Sequence, residues 1–183
     1  MKDINKLEEF WHKDSAQLTP FQFIKNSQIF SNAIIPSTAR SETHISQDGT
    51  ELSSDRVLDR AANKILQKNL AKDRVLFEIG DTFKGLYIVK SGIMKAIIGQ
   101  SESNIVVGGL LGLEELVAFL SDRMCLLRRS YVEFKHSVKS VTDAELIFLE
   151  KELVESICRQ NFDFFSQIYL TYYQRCILKT NVS

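Results

Sequence analysis

The spacing of apolar residues changes twice along the 183-residue chain, from helical to alternating and back to helical. Residues 3–18 place apolar side chains on one side of a helix, and the Thr-Pro pair at 19–20 is typical of the start of a second short helix. A third helix is predicted from residue 54 or 55 to about Leu70, because apolar residues recur at steps of three and four. Its packed face comprises Val57, Leu58, Ala61, Ala62, Ile65 and Leu66.

A polar segment lies between the second and third predicted helices. Eight of the twenty residues at 36–55 are Ser or Thr, and few are apolar. Such a segment buries too little surface to offset the entropy of ordering it. We therefore predict a mobile loop or linker there.

The period becomes two between Arg74 and Leu149, which indicates a series of short strands. The predicted strands are Arg74–Glu78, Leu86–Lys90, Ile93–Ile98, Asn104–Gly108, Ser130–Val141 and Ala144–Leu149. Strands of this length and spacing favour a small antiparallel barrel or jelly roll. A short helix is expected at Leu113–Leu120, with Glu114 and Glu115 in its first turn, where carboxylates suit the helix dipole.

Helical spacing returns after Leu149 and continues to Leu178. One helix is predicted at 151–160, and 162–178 forms either a second helix or its continuation after a bend. The second segment carries more apolar surface than one small barrel covers, so either it pairs with a second copy or it packs on its own barrel. The proposed interface residues are Phe162, Phe165, Ile168, Tyr169, Tyr172 and Cys176.

Two glycines bracket the strand that begins at Leu86. Gly80-Asp81 precedes it and Gly92 follows it, each at a tight turn where glycine adopts a positive φ without steric cost. This spacing resembles the cyclic-nucleotide-binding superfamily and its bacterial Crp/Fnr transcription regulators. The departures are Phe77 and Phe83, where the family prefers smaller residues.

The resemblance covers roughly residues 57–178 and implies an α+β fold. We expect an antiparallel β-roll of the cyclic-nucleotide-binding type, flanked by N-terminal helices and a long C-terminal helix. The expected domains are an N-terminal helical extension and linker at 1–56, a sensor domain at 57–149 and dimerisation helices at 150–183. In the family the last helix pairs with its symmetry mate.

The glycine-rich junction at 108–112 resembles the point where the family builds its ligand pocket. Relatives that bind cyclic nucleotides have a Glu directly after this junction for the ribose, and an Arg-Ser or Arg-Thr followed by Ala for the phosphate. Here Leu113 takes the place of that Glu, and the Arg-Ser pair at 129–130 lies too far along the chain and precedes Tyr131. We therefore expect no cyclic-nucleotide binding. The candidate ligand-binding residues are Gly109, Leu111, Leu113, Glu114, Arg129, Ser130, Phe134 and His136.

Other ligand chemistries find little support in the sequence, and we predict no cofactor, no metal and no catalytic residue. The three Cys residues, 125, 158 and 176, are too widely spaced for a metal site or a disulfide framework. We interpret Cys158 and Cys176 as small core or interface residues. No His-x-His pair suggests a metalloenzyme on a cupin-like barrel, so we predict that the chain is not an enzyme.

The expected setting is the cytoplasm, without membrane contact. The N-terminus lacks the apolar core of a signal peptide, and the net charge is zero. The residues after Leu178 leave no space for a helix-turn-helix, so we expect no specific DNA binding by this chain. Three functions remain open: a Crp/Fnr-like sensor domain that forms a homodimer and takes an unknown effector, a protein-interaction module on a degenerate fold, and a cyclic-nucleotide-binding domain with an atypical pocket.

Overall fold

The computed structural model describes residues 64–124 and 131–180. In these two ranges eight strands and three helices follow one another. They are β1 (Ile65–Leu70), β2 (Val75–Phe77), β3 (Gly85–Ser91), β4 (Met94–Ile98), β5 (Ser101–Ile105), β6 (Leu110–Leu111), α1 (Leu113–Met124), β7 (Ser137–Ser140), β8 (Ala144–Glu150), α2 (Lys151–Gln160) and α3 (Phe162–Thr180).

The strands form two antiparallel sheets of four. One sheet has the order β1-β8-β3-β6, and the other has the order β2-β7-β4-β5. The longest pairing runs between β3 and β8, where Ile88 lies opposite Ile147. This architecture confirms the predicted α+β fold with an antiparallel β-roll and a long C-terminal helix.

Strand β3 is buried along almost its whole length, including the charged side chain of Lys90. Helices α1 and α2 pack against the outer face of its sheet, so β3 is covered on both sides. Lys90 is 5% exposed, and its ammonium group lies 3.1 Å from a carboxylate oxygen of Glu145 on the neighbouring strand. The ion pair compensates the buried charge.

Three phenylalanines fill one part of the roll. The rings of Phe77 and Phe134 stack with their centroids 3.6 Å apart. The rings of Phe83 and Phe134 meet edge to face, with their centroids 5.6 Å apart. All three side chains are buried. The large residues at 77 and 83 are therefore accommodated by packing on one another and on Phe134.

The predicted third helix is wrong at its C-terminal end, because residues 65–70 form β1. This strand is antiparallel to β8 and completes its free edge, with Leu66 opposite Phe148. Leu66 is half exposed, so the helical spacing of apolar residues did not reflect a buried helix face. Backbone hydrogen bonds to β8 outweigh the local helical pattern.

Two predicted strands differ from the structure in their extent. The strand expected at 104–108 is β5, which ends at Ile105, and that expected at 130–141 is regular only in β7. Before β7, the backbone pairs irregularly with the turn at 80–83, since Phe134 donates to the carbonyl of Asp81 and Phe83 donates to that of Val132. The short strand β6 was not predicted.

The C-terminal segment divides into two helices at Asn161. The backbone of this residue is extended, which ends α2, and its side-chain oxygen accepts a hydrogen bond from the N–H of Phe164 at 3.0 Å. Asn161 therefore caps the start of α3. Helix α1 also extends four residues beyond its predicted end, to Met124.

Several predictions fall on residues outside the described ranges and are not tested by the structure. These are the two N-terminal helices, the Ser/Thr-rich linker, the first part of the third helix, Cys125 and the Arg-Ser pair at 129–130. None of the described helices is long and apolar enough to cross a membrane.

The two glycines of the turn motif both have the expected positive φ, +88° at Gly80 and +85° at Gly92. Their surroundings differ. A Cβ at Gly80 would meet nothing within 4 Å, whereas one at Gly92 would collide with the carbonyl oxygen of Asp143 and approach the Cα of Ala144 to 2.8 Å. The second turn therefore depends on the absence of a side chain as well as on backbone freedom.

We predict that Gly92→Ala destabilises the protein more than Gly80→Ala. Backbone strain lowers the free energy of unfolding by about 1–2 kcal/mol in both variants. The collision at residue 92 adds roughly 1–3 kcal/mol. Urea unfolding measures both losses, and equal losses would contradict the steric argument.

Glu155 links the two helices that cover the first sheet. Its carboxylate accepts hydrogen bonds from Arg159, at 2.7 and 3.1 Å, and from Arg123 of α1, at 3.2 Å. Burial alone would raise the pKa of Glu155, but the hydrogen bonds from Arg159 and Arg123 outweigh it and hold the pKa below its usual 4.5. A depressed pKa stabilises the fold above the usual value, and this stabilisation disappears as the pH falls through the lower, folded value.

We predict that Glu155→Gln lowers the free energy of unfolding at pH 7 by roughly 1–2 kcal/mol, because the charge-assisted hydrogen bonds are lost. The difference from wild type should shrink as the pH falls through the lowered pKa of the folded state, because the wild-type carboxylate is then also protonated. Glu152→Gln, on the exposed side of the same helix, is the matched control. A loss that keeps the same size as the pH is lowered from 7 to the acid limit of the folded state would contradict this account of the charged hydrogen bonds.

Candidate functional site

A cavity of about 590 Å³ opens beside the β4–β5 hairpin, at the junction between β6 and α1. Its walls come from the hairpin, the junction, the segment before β7 and helix α3. The lining residues are Ala96, Ile98, Ser103, Asn104, Ile105, Leu110, Leu111, Gly112, Leu113, Glu114, His136 and Arg175. The volume is within the range of small-molecule sites.

Most of the cavity wall is aliphatic. Leu111 and Leu113 lie on either side of Gly112 and are each 1% exposed, so they contribute both to the core and to the cavity surface. Ile105 closes the wall from the hairpin. A ligand that fills this space must bring an apolar body.

The two carboxylates in the first turn of α1 have different environments. Glu114 lines the cavity, whereas Glu115 is 2% exposed and accepts a hydrogen bond from the N–H of Lys135 at 3.1 Å. The second carboxylate oxygen of Glu115 is buried and has no hydrogen-bond partner among the described residues. Both charges lie where the helix dipole favours an anion.

His136 lies between Glu115 and the cavity. Its Nδ1 is 3.6 Å from a carboxylate oxygen of Glu115, and its ring meets that of Phe77 edge-on at 5.5 Å. The residue is 9% exposed and lines the cavity. The imidazole is therefore held on one side by a carboxylate and an aromatic ring, and it borders the cavity on the other.

Arg175 is the cation that helix α3 brings to the cavity. Its Nη1 donates a hydrogen bond to the carbonyl oxygen of Leu110 at 3.0 Å, across 65 residues of sequence. Burial lowers the pKa of Arg175, and the nearby carboxylate of Glu114 opposes this shift. The contact joins α3 to the short strand at the cavity wall.

A second contact fixes α3 against the helix that follows the junction. The hydroxyl groups of Ser121 on α1 and Tyr169 on α3 are 2.6 Å apart, which is hydrogen-bond distance. Together with the Arg175 contact, it sets the position of α3 relative to the cavity at two points.

The candidate ligand-binding residues have different locations. Leu111, Leu113, Glu114 and His136 line the cavity, and their roles in binding stay predictions. Phe134 instead belongs to the aromatic cluster and lines a separate groove of about 380 Å³. Gly109 is next to the cavity but not in its wall, and its carbonyl accepts a hydrogen bond from the N–H of Val89. Arg129 and Ser130 lie outside the described residues.

Sequence reasoning missed Arg175 and the hairpin. Arg175 follows the buried Ile168 by seven residues, which is two helical turns, so it lies on the same inward face of α3. That spacing was available in the sequence as a signal. The hairpin residues carry no comparable signal, because strand β5 is mostly polar and reads as a solvated edge.

The predicted interface residues of α3 are divided between its two sides. Ile168 is fully buried in its own chain, and Phe165, Tyr169 and Tyr172 pack in part against the core. Cys176 is half-buried, whereas Phe162 is 75% exposed. Among the residues of α3 whose side chains the structure describes, the exposed large apolar ones are Phe162, Leu170, Tyr173 and Ile177.

The described ranges contain no candidate metal site, and the thiol of Cys158 is not poised for reaction. No group of three or more His, Cys, Asp or Glu residues there could hold a metal ion. Cys158 is buried, and desolvation, with a contribution from Glu155, raises its pKa to about 12. Its thiol is therefore protonated at neutral pH and contributes to packing.

Residues 67–161, slightly more than half of the chain, match the cyclic nucleotide-binding domain family. The chain belongs to this family. No curated protein matches the sequence closely enough to name a relative. The family assignment agrees with the two-sheet roll.

Solved structures share the fold of this cyclic nucleotide-binding domain at low sequence identity. The sensor domain of the transcriptional regulator DNR from Pseudomonas aeruginosa matches with a TM-score of 0.60 and 11% identity, covering 85% of this chain and 91% of its own. The C-linker/CNBHD of zELK channels matches with a TM-score of 0.58 and 15% identity, covering 91% and 69%.

The catabolite activator protein of Thermus thermophilus is a further structural neighbour. It matches with a TM-score of 0.52 and 20% identity over 69% of this chain, and the chain spans 56% of its length. At these identities the likeness is one of fold.

Proposed function

We propose that the chain is a regulatory sensor domain of Crp/Fnr type that binds a small effector other than a cyclic nucleotide and pairs with a second copy through α3. The observation that carries the proposal is the contact between Arg175 of α3 and Leu110 of the cavity wall. It couples the contents of the cavity to the position of the helix. A regulatory, non-enzymatic role in the cytoplasm agrees with the family and with its regulator-like neighbours.

The cavity wall supports an effector different from a cyclic nucleotide. The family places a carboxylate directly after the junction glycine to accept the ribose hydroxyl, and here that position is Leu113. Glu114 is one position later on α1, about 100° further around the helix. Its carboxylate therefore projects from a different side of the helix than a carboxylate at residue 113 would. A ribose anchored in the family's manner finds no acceptor at its usual place.

We predict that cyclic AMP and cyclic GMP bind with dissociation constants weaker than about 1 mM, which corresponds to less than about 4 kcal/mol of binding free energy. Isothermal titration calorimetry with the purified chain measures this. Micromolar binding of either nucleotide would contradict the proposal and favour a domain with an atypical nucleotide pocket.

The exposed face of α3 supports pairing with a second copy. Leu170, Tyr173 and Ile177 follow one another at steps of three and four, the spacing of a two-helix seam. Phe162 adds apolar surface at the start of the helix. Because Ile168 is buried within its own chain, we place the proposed seam on these exposed residues.

We predict that Tyr173→Glu shifts the chain from dimer to monomer, because a carboxylate in an apolar seam loses its hydration. Light scattering after size exclusion measures the mass, which is 20.9 kDa for one chain. Gln67→Glu, which adds the same charge on an exposed strand, serves as the control and should stay dimeric. A wild-type chain that is monomeric at all concentrations would contradict the pairing proposal.

A protein-interaction module is the second candidate, and the same exposed face favours it. If the wild-type chain is monomeric and cyclic nucleotides do not bind, Leu170, Tyr173 and Ile177 become candidates for contact with a different protein.

A further inference from the structure

We propose that the effector of the cavity is a small organic carboxylate with an apolar body, and that Arg175 is its anchor. The inference rests on the proposed function and specifies the chemistry of the effector. It assigns the anion-binding role to a residue of α3, distant in sequence from the junction that forms the cavity wall.

Among the described residues, the guanidinium of Arg175 has donors beside the cavity that bind no other group. An arginine carries five N–H donors, and within the described residues this one makes a single hydrogen bond, to the carbonyl of Leu110. Burial removes part of the hydration of this charge and lowers the pKa of Arg175, while the nearby carboxylate of Glu114 favours the charged form. Such a group is stabilised by an anion that accepts two parallel hydrogen bonds.

The shape of the anion follows from the planar fork of the guanidinium. A carboxylate presents two oxygens at matching separation and in one plane, so it satisfies two donors at once. Glu114 opposes a ligand of high negative charge, because its carboxylate lines the same cavity. A singly charged carboxylate therefore fits this site better than a phosphate monoester.

The remainder of the ligand must be apolar. Much of the rest of the wall consists of aliphatic side chains, among them Ile98, Ile105 and Leu111. Burial of each CH₂ group against such a wall contributes about 0.8 kcal/mol. An acid with a chain of several carbons thus gains binding free energy from the guanidinium and from the aliphatic wall.

Methyl NMR of the 183-residue chain tests the proposal with three probes that share one alkyl chain: sodium octanoate, octylammonium chloride and octan-1-ol. We expect octanoate to shift the methyl signals of Ile98, Ile105 and Leu111 and to bind at least about tenfold more tightly than the other two. Equal affinity of the alcohol and the acid would overturn the proposal. Shifts confined to Leu170 and Ile177, on the exposed face of α3, would also overturn it.

Variants of Arg175 identify the anchor. Arg175→Gln should weaken octanoate binding at least about tenfold and leave octanol binding within about twofold. Arg74→Gln removes the same charge from an exposed position and should change neither. If Arg175→Gln does not fold, Arg175→Lys replaces it as the test, because lysine keeps the charge without the planar fork of donors. Octanoate binding that is at least about threefold weaker would support the proposal, and unchanged binding would contradict it.

These outcomes are distinguishable from a failure of the proposed function. Carboxylate binding that depends on Arg175 in a chain that stays monomeric would preserve the ligand assignment and remove the pairing. A dimer whose cavity shows no preference for octanoate would preserve the pairing and remove the ligand assignment.

Discussion

The structure depends on the burial of β3 from both sides. A strand that is apolar on both faces must be covered by the opposite sheet and by helices, and here α1 and α2 provide the outer cover. Lys90 is tolerated within β3 only because Glu145 lies beside it. Since α1 must lie against β3, the junction at 108–112 must turn sharply into the helix, and the cavity forms at that turn.

The same requirement gives α3 two faces with different surroundings. Its inward face carries Phe164 and Ile168 into the core and continues to Arg175, where the aliphatic packing ends and the cavity begins. Its outward face keeps Leu170, Tyr173 and Ile177 in contact with solvent. One helix thus borders both the proposed effector and the proposed partner. Arg175 and the outward residues belong to the same helix, so a change at Arg175 needs no intervening element to reach the outward face.

Sequence reasoning recovered the features that depend on local periodicity and missed those that depend on tertiary pairing. The apolar run between two glycines predicted β3, and the strands β4 and β8 were also predicted, each to within about one residue at either end. Helical spacing was misleading at β1, where residues 65–70 form a strand that pairs with the edge of β8. No local pattern contains that information. His136 is buried together with Phe134 and Val138, which share its side of the alternation.

The division of the roll interior explains why the cavity has its present position. Phe77, Phe83 and Phe134 fill one region with stacked and edge-on rings, and a Cβ on Gly112 would already be within 3.3 Å of the ring of Phe134. The junction therefore lies directly against this closely packed cluster. The space that remains is bounded by the β4–β5 hairpin and by α3. The phenylalanines at 77 and 83 therefore leave the space beside Arg175 as the place for the proposed effector.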